Sequence, residues 1–111
     1  MKISYQDVLN RFRGRGWCEW CEKWAENRDA HHAFKCTGAG GGSRIDDDCN
    51  VCGLHRECHT EIQENPIKND KMKHRIARRE GATVQEIEDW LNLVLRTPKE
   101  KPVPAKPWEQ P

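Results

Sequence analysis

The sequence predicts a small α+β domain stapled by a metal ion and flanked by helices. Three observations carry that prediction. Only 35% of the 111 residues are hydrophobic against 33% charged, with a mean hydropathy of -1.02. A chain this short and polar buries little apolar surface and needs a metal or a partner to complete its stability. Metal-binding side chains gather in two places, Cys18-x2-Cys21 and the stretch "CNVCGLHRECH", which puts three cysteines and two histidines into residues 49–59. Beyond Pro66, helix start and stop signals dominate.

The order of elements divides the chain into four parts. Residues 1–16 are an N-terminal helix and basic arm, 17–65 a metal-stapled core, 66–97 two C-terminal helices, and 98–111 a proline-rich tail. "SYQD" opens a short helix from Ser4 to about Phe12, because an N-capping serine is followed three residues later by an acid. Gly14 and Gly16 end it. "WCEWCEKW" holds the first cysteine pair among three tryptophans. "DAHHAF" is a short strand, residues 37–48 are a glycine-rich loop without periodicity, and "CNVCGL" is the returning strand. "HRECHTEIQEN" is a helix closed by Pro66. A basic helix runs from about Lys68 to Glu80 and stops at Gly81. Thr83 and Glu86 form a capping box for the last helix. Val84, Ile87, Leu91 and Val94 share its apolar face, joined by Trp90 and Leu95. The tail "PKEKPVPAKPWEQP" has the composition of a disordered segment.

The cysteines read as thiols rather than disulfides. The start "MKISYQDVLN" carries no apolar signal-peptide core, so a reducing, cytoplasmic setting is expected. No run of about 18 apolar residues exists, so no membrane span is expected. A disulfide-rich secreted domain is disfavoured for the same reasons.

Zinc takes four N or S ligands in a tetrahedron, commonly as two close pairs. Cys18 and Cys21 form one pair, because a two-residue spacer lets a single turn aim both sulfurs inward. The second pair is either His55/Cys58 or Cys49/Cys52. Local structure favours His55 and Cys58, at positions i and i+3 on a helix's opening turn. In a strand, Cys49 and Cys52 point to opposite faces and need a turn to share an ion. On this reading Cys36, Cys49 and Cys52 are buried or loop thiols; the four-cysteine set remains the competitor. His59 lies about 100° around the helix from Cys58, so it turns away from the zinc toward the strand bearing His31 and His32. Those two can serve one site only if their strand ends or bends there. His74 reads as a surface residue.

The formal charge is +1, but its distribution is uneven. "RFRGRG" carries three arginines, and residues 66–81 carry six Lys/Arg against two acids. Separated basic patches of this kind are compatible with nucleic-acid contact. The candidates for phosphate contact are Lys35, Arg44, Lys68, Lys71, Arg75, Arg78 and Arg79.

In combination, "CEWC", "DAHHAF", "GAGGGSRIDDD", Asn50 and "LHRECH" opening a helix resemble the HNH endonuclease family, especially its small phage-type members. The likeness spans residues 17–65. It implies a ββα-metal core stapled by structural zinc at Cys18, Cys21, His55 and Cys58, with histidine replacing one usual cysteine. It also implies a metal-dependent endonuclease that hydrolyses DNA phosphodiester bonds in the cytoplasm of a bacterial host, beside other phage DNA-processing proteins. His31 and His59 take the positions of ligands to a catalytic Mg2+, Mn2+ or other divalent ion. His32 takes the general-base position, and Asn50 that of the asparagine steadying the active loop. Gln63 departs from the pattern, since many relatives carry another histidine there; water, phosphate or Asp46–Asp48 would fill the shell. The rival reading is a non-catalytic zinc module that binds nucleic acid or protein, with no role for His31, His32 or Asn50.

Overall fold

The computed structural model describes residues 5–34, 45–98 and 100–109. Helix α1 (Tyr5–Phe12) leads into strand β1 (Gly14–Trp17), a knuckle, and strand β2 (Trp24–His32). A 3-10 turn (Asp48–Asn50) precedes strand β3 (Val51–His55), which runs directly into helix α2 (Arg56–Gln63). Helices α3 (Pro66–Glu80) and α4 (Val84–Arg96) follow, then a 3-10 turn at Pro107–Glu109. The expectation of a small α+β domain is met: one three-stranded antiparallel sheet, ordered β1-β2-β3, is packed with helices.

Strand β1 was not expected, because "GRGW" shows no apolar alternation. Long-range contacts account for it. Gly14 takes φ +73°, a left-handed turn that directs the chain from α1 back along β2. A Cβ on Gly16 would stand 2.5 Å from the Arg28 guanidinium, so the glycine leaves room for that side chain to cross the sheet. Arg28 then donates to the carbonyls of Gly14, Arg11 and Arg13, each at 3.2 Å, closing the α1–β1 corner. Glycine here continues the chain into a strand as well as ending the helix.

The β2–β3 register decides which side chains share a face. Asp29 lies opposite Leu54 and His31 opposite Cys52. Leu54 and Cys52 belong to the main core with Ile62, Met72, Ile76, Ile87, Trp90 and Leu91, so this face meets the later helices. Ala30 and Val51 lie on the other face and pack with Val8, Leu9 and Phe12 of α1. The sheet is thus a layer between α1 and the three later helices.

The boundaries of the last two helices follow their caps, with one correction. α3 begins at Pro66, two residues earlier than expected, because Asn65 caps it and accepts from the N–H groups of Ile67 and Lys68. Proline suits the first helical position, where its missing N–H has no partner to lose. Gly81, at φ +75°, ends α3, and Thr83 with Glu86 forms the expected capping box. On α4, Ile87, Trp90 and Leu91 are buried, but Leu95 is 42% exposed and leaves the apolar face. The tail also differs from its expected disorder. Trp108 meets Trp90 edge to face at 6.0 Å, and the Trp90 indole N–H donates to the Pro104 carbonyl at 3.0 Å. Two indoles hold a segment whose overall composition is that of a solvated chain. No helix among the described residues is long and apolar enough to cross a membrane.

Candidate metal centre and histidine site

Three elements converge on one cluster. Cys18 follows β1, Cys21 closes the knuckle, His55 ends β3, and Cys58 lies in the first turn of α2. Their donor atoms all lie within 4.8 Å of one another. The knuckle is shaped by two backbone bonds, Cys18 N–H to the Lys23 carbonyl and Glu22 N–H to the Cys18 carbonyl, each 2.9 Å. Glu22 takes φ 63° to close it.

The chemistry of this donor set fits a zinc ion. Burial pushes the Cys18 thiol up, but backbone N–H groups of Cys21, His55 and Trp20 aimed at its sulfur outweigh that and bring it to about 6. Cys58 is driven up to about 12 by burial and by the adjacent Cys18 and Cys21 sulfurs. Crowded sulfurs that resist joint ionisation are what a divalent cation would relieve. The His55 ring is oriented to match. Its Nε2–H faces the Trp24 carbonyl at 3.2 Å, leaving Nδ1 3.2 Å from the Cys21 sulfur. A carbonyl can only accept, so the proton resides on Nε2 and the Nδ1 lone pair faces the cluster.

Cys49 and Cys52 stand apart from this group. Both are fully buried core thiols. Burial, and for Cys49 the neighbouring Asp47 carboxylate, pushes each well above its ordinary value. Cys49 sits in the 3-10 turn rather than in the strand, so the strand expected over "CNVCGL" starts only at Val51. Cys36 lies outside the described residues.

The remaining histidines divide by sheet face. His31 is buried on the helix side, with its ring centroid 5.0 Å from that of His59 on α2. His32, the last residue of β2, pairs through Nε2 with Asp46 Oδ1 at 2.5 Å. Each ring is tethered by one nitrogen. His31 Nε2 faces Asn69 Oδ1 at 2.8 Å, and His59 Nδ1 faces Asp29 Oδ2 at 3.2 Å. Asn69 is fixed in turn by donating to the Ala33 carbonyl at 3.0 Å. Tethers of this kind set the tautomer and leave the other nitrogen of each ring able to bind an ion or a proton. Among the described residues, the Cys3His cluster is the single group in which three or more donor atoms converge within 4.8 Å.

Asn50 is fully buried and joins the two flanks of the loop. Its Oδ1 accepts from Phe34 N–H and its Nδ2 donates to the Ile45 carbonyl, both at 2.8 Å. Asp29, Asn69 and the specific pairing of Asp46 with His32 escaped the sequence reading. Asp29 had one usable signal, its two-residue spacing from His31 on the same strand face.

The basic candidates separate by commitment. Arg79 pairs with Glu19 Oε1 at 2.6 Å and Glu80 Oε2 at 3.0 Å, donates to the Val51 carbonyl at 3.0 Å, and lies over the Phe12 ring. It is a structural arginine rather than a free phosphate contact. Arg75 stacks 4.6 Å from the Trp20 ring and donates to the Glu19 and Trp20 carbonyls. Lys68 pairs with Glu61. Lys71 and Arg78 are exposed. Lys35 and Arg44 lie outside the described residues. His74, as expected, is an exposed residue, bonded to the Asp70 carbonyl. An open cleft of about 520 Å³, lined by Trp17, Glu19, Glu22, Arg75, Arg78 and Arg79, lies beside the knuckle. It does not include the histidine site. The chain matches no family model, no curated protein and no solved structure.

Proposed function

We propose that this chain is a zinc-stapled, metal-dependent endonuclease of the HNH type that hydrolyses DNA phosphodiester bonds. One observation carries the reading: β3 and α2 bring the His59 ring centroid to 5.0 Å from that of His31, and the next residue of β2, His32, holds Asp46. The β2–β3–α2 succession has the order of a ββα-metal unit. Structural zinc would occupy Cys18, Cys21, His55 and Cys58.

A divalent ion held by His31 and His59 would supply Lewis-acid polarisation of the phosphate and charge compensation at the leaving oxygen. The protein's own groups perform the remaining tasks. Asp46 fixes the His32 ring through Nε2, so Nδ1 is free to remove a proton from the attacking water. Asn69 and Asp29 hold the His31 and His59 rings in place. Asn50 clamps the loop flanks so that the strand end and Asp46 keep their separation. Lys71 and Arg78 are the candidates on α3 for sequence-independent contact with phosphates.

The test is incubation with supercoiled plasmid DNA in Mg2+, Mn2+, Ni2+ and Zn2+, with analysis of the product ends. The expected products carry 5′-phosphate and 3′-hydroxyl groups and appear only with added divalent metal. The alternative is a non-catalytic zinc module, favoured because no third donor converges on the histidine pair among the described residues. DNA binding without cleavage in any of these metals would select it.

A further inference from the structure

We propose that residues 100–109 form a latch on the turn that carries Asp46, with Lys106 as the positioning residue. This rests on the nuclease reading above, and it concerns a segment that the chemistry does not otherwise use. Lys106 Nζ reaches Asp47 Oδ1 at 2.8 Å, and the two side chains are only 15% and 26% exposed. Asp47 is the hub of the turn. Its Oδ1 accepts from Cys49 N–H at 3.0 Å, and its carbonyl accepts from Asn50 N–H at 2.9 Å. Its chain neighbour Asp46 holds His32. A pull on Asp47 is thereby passed to both the His32 tether and the Asn50 clamp.

The other end of the latch rests on α4. Lys106 Nζ lies 5.2 Å from the centroid of the Trp90 ring, Trp108 packs against the same ring, and the Trp90 N–H holds the Pro104 carbonyl. Trp90 itself is buried in the main core. The latch therefore ties a rigid helix to the one turn that orients the His32 dyad. The segment carries no helix or strand beyond the turn at Pro107–Glu109, so it can lift away without unfolding the elements beneath it. The outcome of opening is specific: Asp46 loses its fixed place, His32 loses its orienting carboxylate, and DNA affinity is unaffected.

The test compares the full-length, zinc-loaded wild type with Lys106→Met, Lys106→Arg and Asp47→Asn. In Lys106→Met, amide exchange at Cys49 and Asn50 should rise roughly fivefold or more, with Met72 and Ile76 unchanged. The His32 imidazole nitrogen shifts, which read the tautomer held by Asp46, should become averaged. Single-turnover cleavage should slow by a similar factor at unchanged DNA affinity. Lys106→Arg should restore all three, and Asp47→Asn should reproduce the loss. Unchanged exchange at Cys49 and Asn50 would overturn the latch. Raised exchange with an unchanged His32 tautomer would overturn its positioning role. A wild type that binds zinc but never cleaves would remove the nuclease reading alone, because exchange and tautomer still judge the latch.

Discussion

His31 illustrates how burial and neighbouring groups set the charge state of one side chain. Burial holds it below its ordinary pKa of 6.5, the Asn69 contact opposes this, and the nearby His59 and His32 charges add to the lowering. A group whose pKa is depressed on folding contributes stability that is complete above its unfolded value and lost as pH falls through the folded one. Stability should therefore decline below about pH 6.5, and His31→Asn should flatten that decline in chemical-denaturation curves taken from pH 7.5 to 5. An unaltered slope would mean that His31 is not the group being charged. The metal cluster makes an equally local prediction. His55→Ala and Cys21→Ala should lose bound zinc by elemental analysis, whereas Cys52→Ala should retain one equivalent and lose only packing, about 1–2 kcal/mol. Zinc lost from Cys52→Ala would revive the four-cysteine alternative.

At the scale of elements, caps and corners set the architecture. Thr83→Ala removes the side chain that accepts from Glu86 N–H, and should lower stability by about 1 kcal/mol in urea titration. Both this cap and the Gly81 stop were legible because their determinants lie within three residues of each other. Cys18, Cys21, His55 and Cys58 were legible for a related reason: spacing within each pair is local, and tetrahedral chemistry demands the second pair. Strand β1 was not legible, since its partner is Arg28 on the next strand and its own four residues carry no alternation. The tethers of the histidines were hidden likewise. Asn69 and Asp29 lie 38 and 30 residues from the rings they hold, and only the packing of α2 and α3 on the sheet brings them together. The docked tail misled through its average composition, which masks two indole contacts and one covered lysine.

At the scale of the whole molecule, a chain of 13.0 kDa with a Cα radius of gyration of 13.9 Å relies on ties between distant segments. Arg79 joins α3 to the knuckle through Glu19 and to β3 through the Val51 carbonyl. Zinc held by the Cys3His cluster would be folding energy in a domain this polar, so chelation should abolish the cooperative thermal transition seen by circular dichroism. An unchanged melting curve after verified zinc removal would contradict that dependence. Charge is also a global property. Lys71→Ala or Arg78→Ala should each reduce the salt-dependence slope of DNA binding by about 1, without altering sequence preference.

The most direct measurement of the central claim is nicking of supercoiled plasmid by zinc-replete wild type and His32→Ala, side by side with Mg2+ or Mn2+. The wild type should nick only with added metal, and the variant should lose most of that nicking while keeping its zinc and its fold. A His32→Ala protein that nicks at the wild-type rate would remove His32 as the general base.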